Sequence, residues 1–167
     1  GVMVPLVESE DEARAIAEAV RYPPAGRRGA AFGFAHDGFQ PGDPAAKAAE
    51  ADARNLLIAQ IETERGLENV EAIAAVPGID VLWVGHFDLT NFLGVPGDFE
   101  GEVYVNALRR IAAAAKTHGK GLGILGGDAA WLRRHRDLGF NMLAAGGDPA
   151  LLIQGLNGIL DPMRSPS

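Results

Sequence analysis

Short apolar runs alternate with stretches of helical period along the whole chain. Val2 to Val7 reads as a buried strand with Pro5 near its end. Ser9 and Glu12 then form a capping-box pattern, with Asp11 between them in the first turn. Ala13, Ile16, Ala17 and Val20 share one face of the helix that follows, and Tyr22-Pro23-Pro24 stops it. Residues 23–50 are rich in Gly, Pro and Ala without sustained period. They read as a long loop, with a short helix from Pro44 to Arg54, so that 23–54 forms one loop region.

The run over residues 55–63 is the next strand, apolar and ending in the carboxylate of Glu62, and a helix with Leu67, Val70, Ile73 and Ala74 on its inner face follows. Pro77-Gly78 turns the chain into Val81–Val84, an apolar run with β-branched ends, as expected of a strand buried on both faces of a parallel sheet. Asn91 to Asp98 reads as irregular. The longest predicted helix runs from Glu102 to His118 with Val105, Leu108, Ile111, Ala112 and Ala115 inward, and Gly119 ends it. Gly121 to Leu125 is a further strand, followed by Gly126-Gly127 and a helix carrying Leu132, His135 and Leu138. Phe140 to Ala145 is the last strand. Asp148-Pro149 opens a strongly apolar helix over 148–160, and 161–167 reads as a disordered tail.

The sum is five strands, each followed by a helix, in one domain over residues 1–160. That order predicts a parallel α/β sheet with right-handed crossovers. Two architectures satisfy it: an open doubly wound sheet, or the last five units of a closed eight-unit barrel, which typically takes about 250 residues. No Gly-x-Gly-x-x-Gly turn follows the first strand, so a dinucleotide-binding fold has little support.

Composition narrows the chemistry. A chain of 167 residues is enough for one domain with a real core. Cysteine is absent, which removes disulfides and thiolate chemistry and fits a reducing, cytoplasmic setting. The net charge of −7 argues against nucleic acid as a partner. The pairs Arg27-Arg28, Arg109-Arg110 and Arg133-Arg134 are scattered and read as solvated surface. No apolar stretch is long enough to span a bilayer, so no membrane partner is expected.

Ligands of parallel β/α sheets sit at the carboxyl ends of the strands. Glu62 and Asp88 stand there on successive strands, and two carboxylates suit a hard divalent cation that keeps its other positions for water and substrate. Either acid can instead cap the helix that follows it. Gln60 lies two residues before Glu62, on the same side of its strand. It can hydrogen-bond a ligand or serve as a buried polar packing group. His86 reads as a pocket wall or hydrogen-bond donor. His36, His118 and His135 read as surface or helix-face residues. Gly126-Gly127 and Gly146-Gly147 can let backbone amides approach an anion, or can be ordinary turn residues.

Several segments occur in a telling order: Gly1-Val2-Met3-Val4-Pro5, Arg21-Tyr22-Pro23-Pro24-Ala25-Gly26-Arg27-Arg28-Gly29, Gln60-Ile61-Glu62-Thr63 and Val84-Gly85-His86-Phe87-Asp88-Leu89-Thr90. Gly123-Ile124-Leu125 and Ala145-Gly146-Gly147-Asp148 continue the series. In these segments the chain resembles the HpcH/HpaI aldolase family, the metal-dependent class II pyruvate aldolases related to macrophomate synthase. Within that family the resemblance is to the 4-hydroxy-2-oxoheptanedioate and 2-dehydro-3-deoxyglucarate aldolase type. The resemblance implies a (β/α)8 barrel of the phosphoenolpyruvate/pyruvate type, usually a hexamer, with its last helix swapped onto a neighbouring subunit. It implies that Glu62 and Asp88 hold Mg2+, Mn2+ or Co2+. Gln60 and the backbone around Gly85, His86 and Phe87 would line the pyruvate pocket, with Leu125 near the aldehyde end. The implied reaction joins pyruvate to an aldehyde, or cleaves a 4-hydroxy-2-oxo acid, through an enolate.

The departures are specific. The family commonly has Gly-Pro-Ala-Asp where this chain has Gly85-His86-Phe87-Asp88. The family's first three strands, with a histidine that assists proton transfer and an arginine that clamps the carboxylate, have no match here. Catalytic residues therefore stay unassigned, and the chain is expected to be the C-terminal part of such a barrel. Two other readings stand beside this one. The first is a CoA-ester lyase of the citryl- or malyl-CoA type. The second is a truncated, non-catalytic chain acting as an assembly partner. The expected macromolecular partners are further copies of the chain or a complementing N-terminal polypeptide.

Overall fold

The computed structural model describes residues 1–164; residues 165–167, the end of the predicted tail, lie outside the described residues. Strands β1 (Val2–Val4), β2 (Leu57–Ile61), β3 (Val81–Val84), β4 (Gly121–Gly126) and β5 (Met142–Ala145) form one sheet in the order of the chain. Every neighbouring pair is parallel. The helices are α1 (Glu10–Val20), α2 (Pro44–Arg54), α3 (Glu64–Glu68), α4 (Val70–Ala75), α5 (His86–Phe92), α6 (Glu102–Thr117), α7 (Ala129–Asp137) and α8 (Asp148–Arg164).

This order decides between the two predicted architectures. A doubly wound sheet reverses its strand order at a switch point and carries helices on both faces. Here the order never reverses. One large core cluster joins Leu57, Ala59 and Ile61 of β2, Leu82 and Val84 of β3, and Leu122 and Ile124 of β4 to residues of α1, α4 and α6. The alternate side chains Ile58, Val81 and Trp83 make a second, smaller cluster with Met142 and Ala144. A singly wound sheet with helices on one face is an arc of a β/α barrel, with the smaller cluster on its inner face.

Local chemistry accounts for the elements. Ser9 Oγ accepts from the Glu12 N–H at 3.2 Å, and the Glu12 carboxylate reaches back to the N–H of Glu8 at 2.8 Å, closing the predicted cap one residue early. At the amino ends of β2 and β3, the Arg21 guanidinium bonds the carbonyls of Asp52, Asn55 and Gly78 and meets Asp80 Oδ2 at 2.6 Å. The same Asp80 oxygen accepts the Leu57 N–H at 2.7 Å. The Arg21-Tyr22-Pro23-Pro24 segment thus ties the loop region to the sheet at the end opposite the predicted site. On the inner face, a side chain on Gly123 would collide with the Trp83 ring, 2.3 Å from Cε3, so glycine is required for the indole to lie across β4.

Several expectations change. β1 stops at Val4, and Val2 and Met3 are exposed; of that stretch Val7 is buried in the core and Val4 packs against it half-buried. β5 begins at Met142, with Phe140 buried just before it. The helix after β2 breaks at Asn69, because the Asn69 side chain bonds the carbonyls of Glu8 and Arg65. Asn91 and Phe92 are helical, completing α5. Residues 161–164 continue α8 past Pro162 instead of forming a tail, and every residue of that helix is exposed.

Candidate active site

Glu62 follows the last residue of β2, and its side chain points to the inner face with Gln60. It is only 4% exposed. Oε1 accepts the Leu6 N–H at 2.9 Å, and Oε2 accepts the Gln60 amide at 2.5 Å. Leu6 makes its bond from the left-handed region, at φ 54°, a conformation that costs a leucine about 1–2 kcal/mol. Among the described residues no lysine, arginine or histidine forms an ion pair with Glu62. Nor does Glu62 cap the following helix: Thr63 does, its hydroxyl accepting from the Gly66 N–H at 3.0 Å.

The β2–β3 register ends on Ile61 opposite Val84, which sets Gly85 beside Glu62, and the Gly85 N–H donates to Ile61 O at 3.3 Å. α5 starts at the next residue, with Asp88 in its first turn. Asp88 is exposed and makes no hydrogen bond or ion pair among the described residues. Thr90 holds the turn in shape: its buried hydroxyl donates to Phe87 O at 2.9 Å and accepts from the Gly97 N–H at 3.1 Å.

The predicted residues therefore fall into two neighbouring groups. Gln60, Glu62 and Gly85 are in mutual contact, with Asp88 at the same end of the adjacent strand. His86, Phe87 and Leu125 instead line an apolar cleft of about 420 Å³ on the β4–β5 side, floored by Gly126, Gly127, Gly146 and Gly147. Among the described residues no three His, Cys, Asp or Glu side chains gather as a metal cluster.

Two residues of that cleft escaped the sequence reading. Phe99 sits in a stretch without period, and Trp131 opens α7. Ring centroids lie 5.4 Å apart for His86–Phe99, 5.2 Å for His86–Trp131 and 5.2 Å for Phe99–Trp131. The Trp131 indole donates to Leu125 O at 3.1 Å, pinning α7 to the end of β4. Burial pushes the pKa of His86 down, with His135 adding to that and Asp88 opposing it. Of the surface and helix-face positions expected for His135, the structure gives the second, on the inward face of α7, where it is fully buried. Trp131 covers it at 4.3 Å and Phe140 at 5.2 Å, and its Nδ1 lies 2.8 Å from Trp131 O. A histidine four residues after a tryptophan was the available signal.

Parallel strands wound in one direction, with helices on one face and polar side chains at the carboxyl ends, define part of a (β/α)8 barrel. The HpcH/HpaI aldolase/citrate lyase family model matches residues 1–155, and the chain belongs to that family. It is 37% identical over 153 residues to a hydroxypyruvate/pyruvate aldolase of Roseovarius nubinhibens, covering 92% of this chain and 59% of that protein. It is 42% identical over 158 residues to a 4-hydroxy-2-oxovalerate aldolase of Novosphingobium aromaticivorans, covering 92% and 58%. A solved HpcH/HpaI family structure from Burkholderia cenocepacia superposes with a TM-score of 0.88 at 34% identity, covering 98% and 64%. The chain spans about three fifths of the length of these relatives.

Proposed function

We propose that this chain serves metal-dependent aldol cleavage and condensation of 4-hydroxy-2-oxo acids, giving pyruvate and an aldehyde. The observation that carries the reading is the buried Glu62 carboxylate at the carboxyl end of β2, which lacks a cationic partner among the described residues, while Asp88 lies exposed in the first turn of α5 at the same end of the sheet. An uncompensated buried carboxylate is costly, and a bound cation offsets that cost. Two carboxylates fit Mg2+, Mn2+ or Co2+, which accept one or two from a protein and leave room for the oxygens of a 2-oxo acid.

When bound, the ion supplies Lewis-acid polarisation of the oxo group and offsets the charge that develops as the adjacent methyl loses a proton. The chain's own residues do the rest of what can be assigned. Gln60 and the Leu6 N–H fix the orientation of Glu62. Gly85 leaves the space in front of the carboxylate open, and the backbone around Gly85, His86 and Phe87 lines the pyruvate pocket. In condensation the deprotonated methyl carbon bonds the aldehyde carbon, whose oxygen takes up a proton; Leu125 faces that partner. No residue here is assigned as the proton acceptor.

The apolar arc of α8, with Leu152, Leu156, Ile159 and Met163 exposed, supports packing against another copy in a homo-oligomer. No described helix is long and apolar enough to cross a membrane, and a cytoplasmic location belongs to the same proposal.

Pyruvate release from a 4-hydroxy-2-oxo acid, measured for the chain alone and together with a polypeptide carrying the family's preceding strands, tests the activity. The reading expects release that needs Mg2+ or Mn2+ and stops with a chelator. Cleavage of a CoA thioester without action on the free oxo acid would assign the chain to the lyases that the family also contains.

A further inference from the structure

We propose that the cleft beside Asp88 takes an uncharged aromatic aldehyde as the acceptor, an inference that rests on the aldolase reading above. The cleft opens at the carboxyl ends of β3, β4 and β5, and its first wall, His86-Phe87, shares the opening turn of α5 with Asp88. A molecule seated there lies beside the turn that carries Asp88.

Shape and charge both select. Phe87 is 63% exposed, an unusual state for a phenylalanine held in an ordered turn, and it leans on His86 at 4.5 Å and on Phe99 edge-on at 5.3 Å. Trp131 and Leu125 close the opposite side, locked together by the indole hydrogen bond. Rings set at steep angles leave faces and edges open to another ring, and such contacts contribute beyond simple burial. Among the described residues the lining includes no lysine or arginine. Its one charged group, Asp128, is occupied in capping α7 through the N–H groups of Ala130 and Trp131. Arg134 lies over the Trp131 ring at 5.0 Å, but it lines a different cleft and is paired with Glu100. An aldehyde bearing a carboxylate meets no cation here, and a short aliphatic one leaves the rings uncovered.

The test is a titration of the 15N-labelled full chain with benzaldehyde, propanal and succinic semialdehyde, following the Trp131 indole N–H by NMR. Trp83, on the inner face, serves as the reference indole. The inference expects benzaldehyde to half-saturate the Trp131 shift at a concentration at least tenfold below that of either other aldehyde. Phe87→Ala, which removes an exposed side chain and leaves the core intact, should raise that concentration at least fivefold. Equal or tighter response to propanal or succinic semialdehyde, or an unmoved Trp131, overturns the inference. So does a Trp131 shift that follows protein dilution alone, which would assign the cleft to a second copy of the chain. Broadening of the Gly85 and Asp88 amides by Mn2+ is read in the same samples and decides the metal reading separately. Selective benzaldehyde binding without that broadening sinks the aldolase reading, and broadening without selectivity sinks the inference alone.

Discussion

A Cβ atom added to Gly85 would stand 2.3 Å from Oε2 of Glu62. The next nearest atoms, Gln60 Nε2 and Glu62 Cβ, would both be at 2.8 Å, so no shift of one flexible tip relieves the clash. Gly85 lies at φ −83° and ψ 79°, so the objection to a larger residue is steric rather than conformational. Gly85→Ala should therefore push the carboxylate off its Leu6 and Gln60 hydrogen bonds, lowering Mn2+ affinity at least tenfold in calorimetry. Overpacking of this kind costs about 1–3 kcal/mol, which urea unfolding would register. Wild-type metal affinity in a folded Gly85→Ala chain would remove Glu62 from the ligand set.

Asp88 separates binding from stability. It is exposed and unbonded, so Asp88→Asn should alter stability by no more than about 0.5 kcal/mol. The same substitution should abolish divalent-ion binding. Unchanged calorimetric affinity for Mg2+ or Mn2+ would count against the whole coordination scheme.

What the residue pattern revealed and what it hid divide along physical lines. Strand ends were legible because a parallel strand buried on both faces is a continuous apolar run, so Ile61 and Val84 mark where the polar site begins. The choice of barrel over doubly wound sheet was not legible in the periodicity, since it depends on which face each crossover takes; the resemblance of the ordered segments to an aldolase family is what implied the barrel. The immediate start of α5 at His86 was hidden because Gly85 provides no side-chain cap to announce it. Leu6 was hidden too: nothing in a leucine foretells a left-handed backbone, and only the Glu62 carboxylate makes sense of it. The rings against Tyr104 and His135 come from near in the chain, Phe99 for Tyr104 and Trp131 and Phe140 for His135, but Phe99 and Phe140 lie outside the helices and so outside any helical period.

Tyr104 is fully buried on α6, and its hydroxyl has no hydrogen-bond partner among the described residues. Burial also pushes its ionisation far above the ordinary tyrosine value, with Arg134 only weakly opposing. Deleting an unsatisfied buried hydroxyl removes a desolvation cost of about 1–3 kcal/mol while the ring keeps its packing. Tyr104→Phe should leave the unfolding midpoint unchanged or raise it. A clear loss of stability would mean that the hydroxyl has a partner in solution.

His135 should make stability depend on pH. Burial comes first among the causes that lower its pKa below the ordinary 6.5, opposed by the bond to Trp131 O. With Nδ1 as the donor in that bond, Nε2 is left buried without a partner, and protonating it would place a charge among Trp131 and Phe140. The unfolded chain has no such penalty and takes up a proton near pH 6.5. Below that pH the unfolded state binds more protons than the folded one, so folding stability falls as the solution is acidified and recovers as pH rises. The loss ends once pH drops below the folded-state value. His86, shifted in the same direction by burial, adds to the effect. Urea unfolding at pH 7.5, 6 and 5 should show a falling midpoint, and His135→Gln should flatten the curve without removing the part due to His86. A midpoint that rises on acidification through this range would show that His135 is charged in the folded protein.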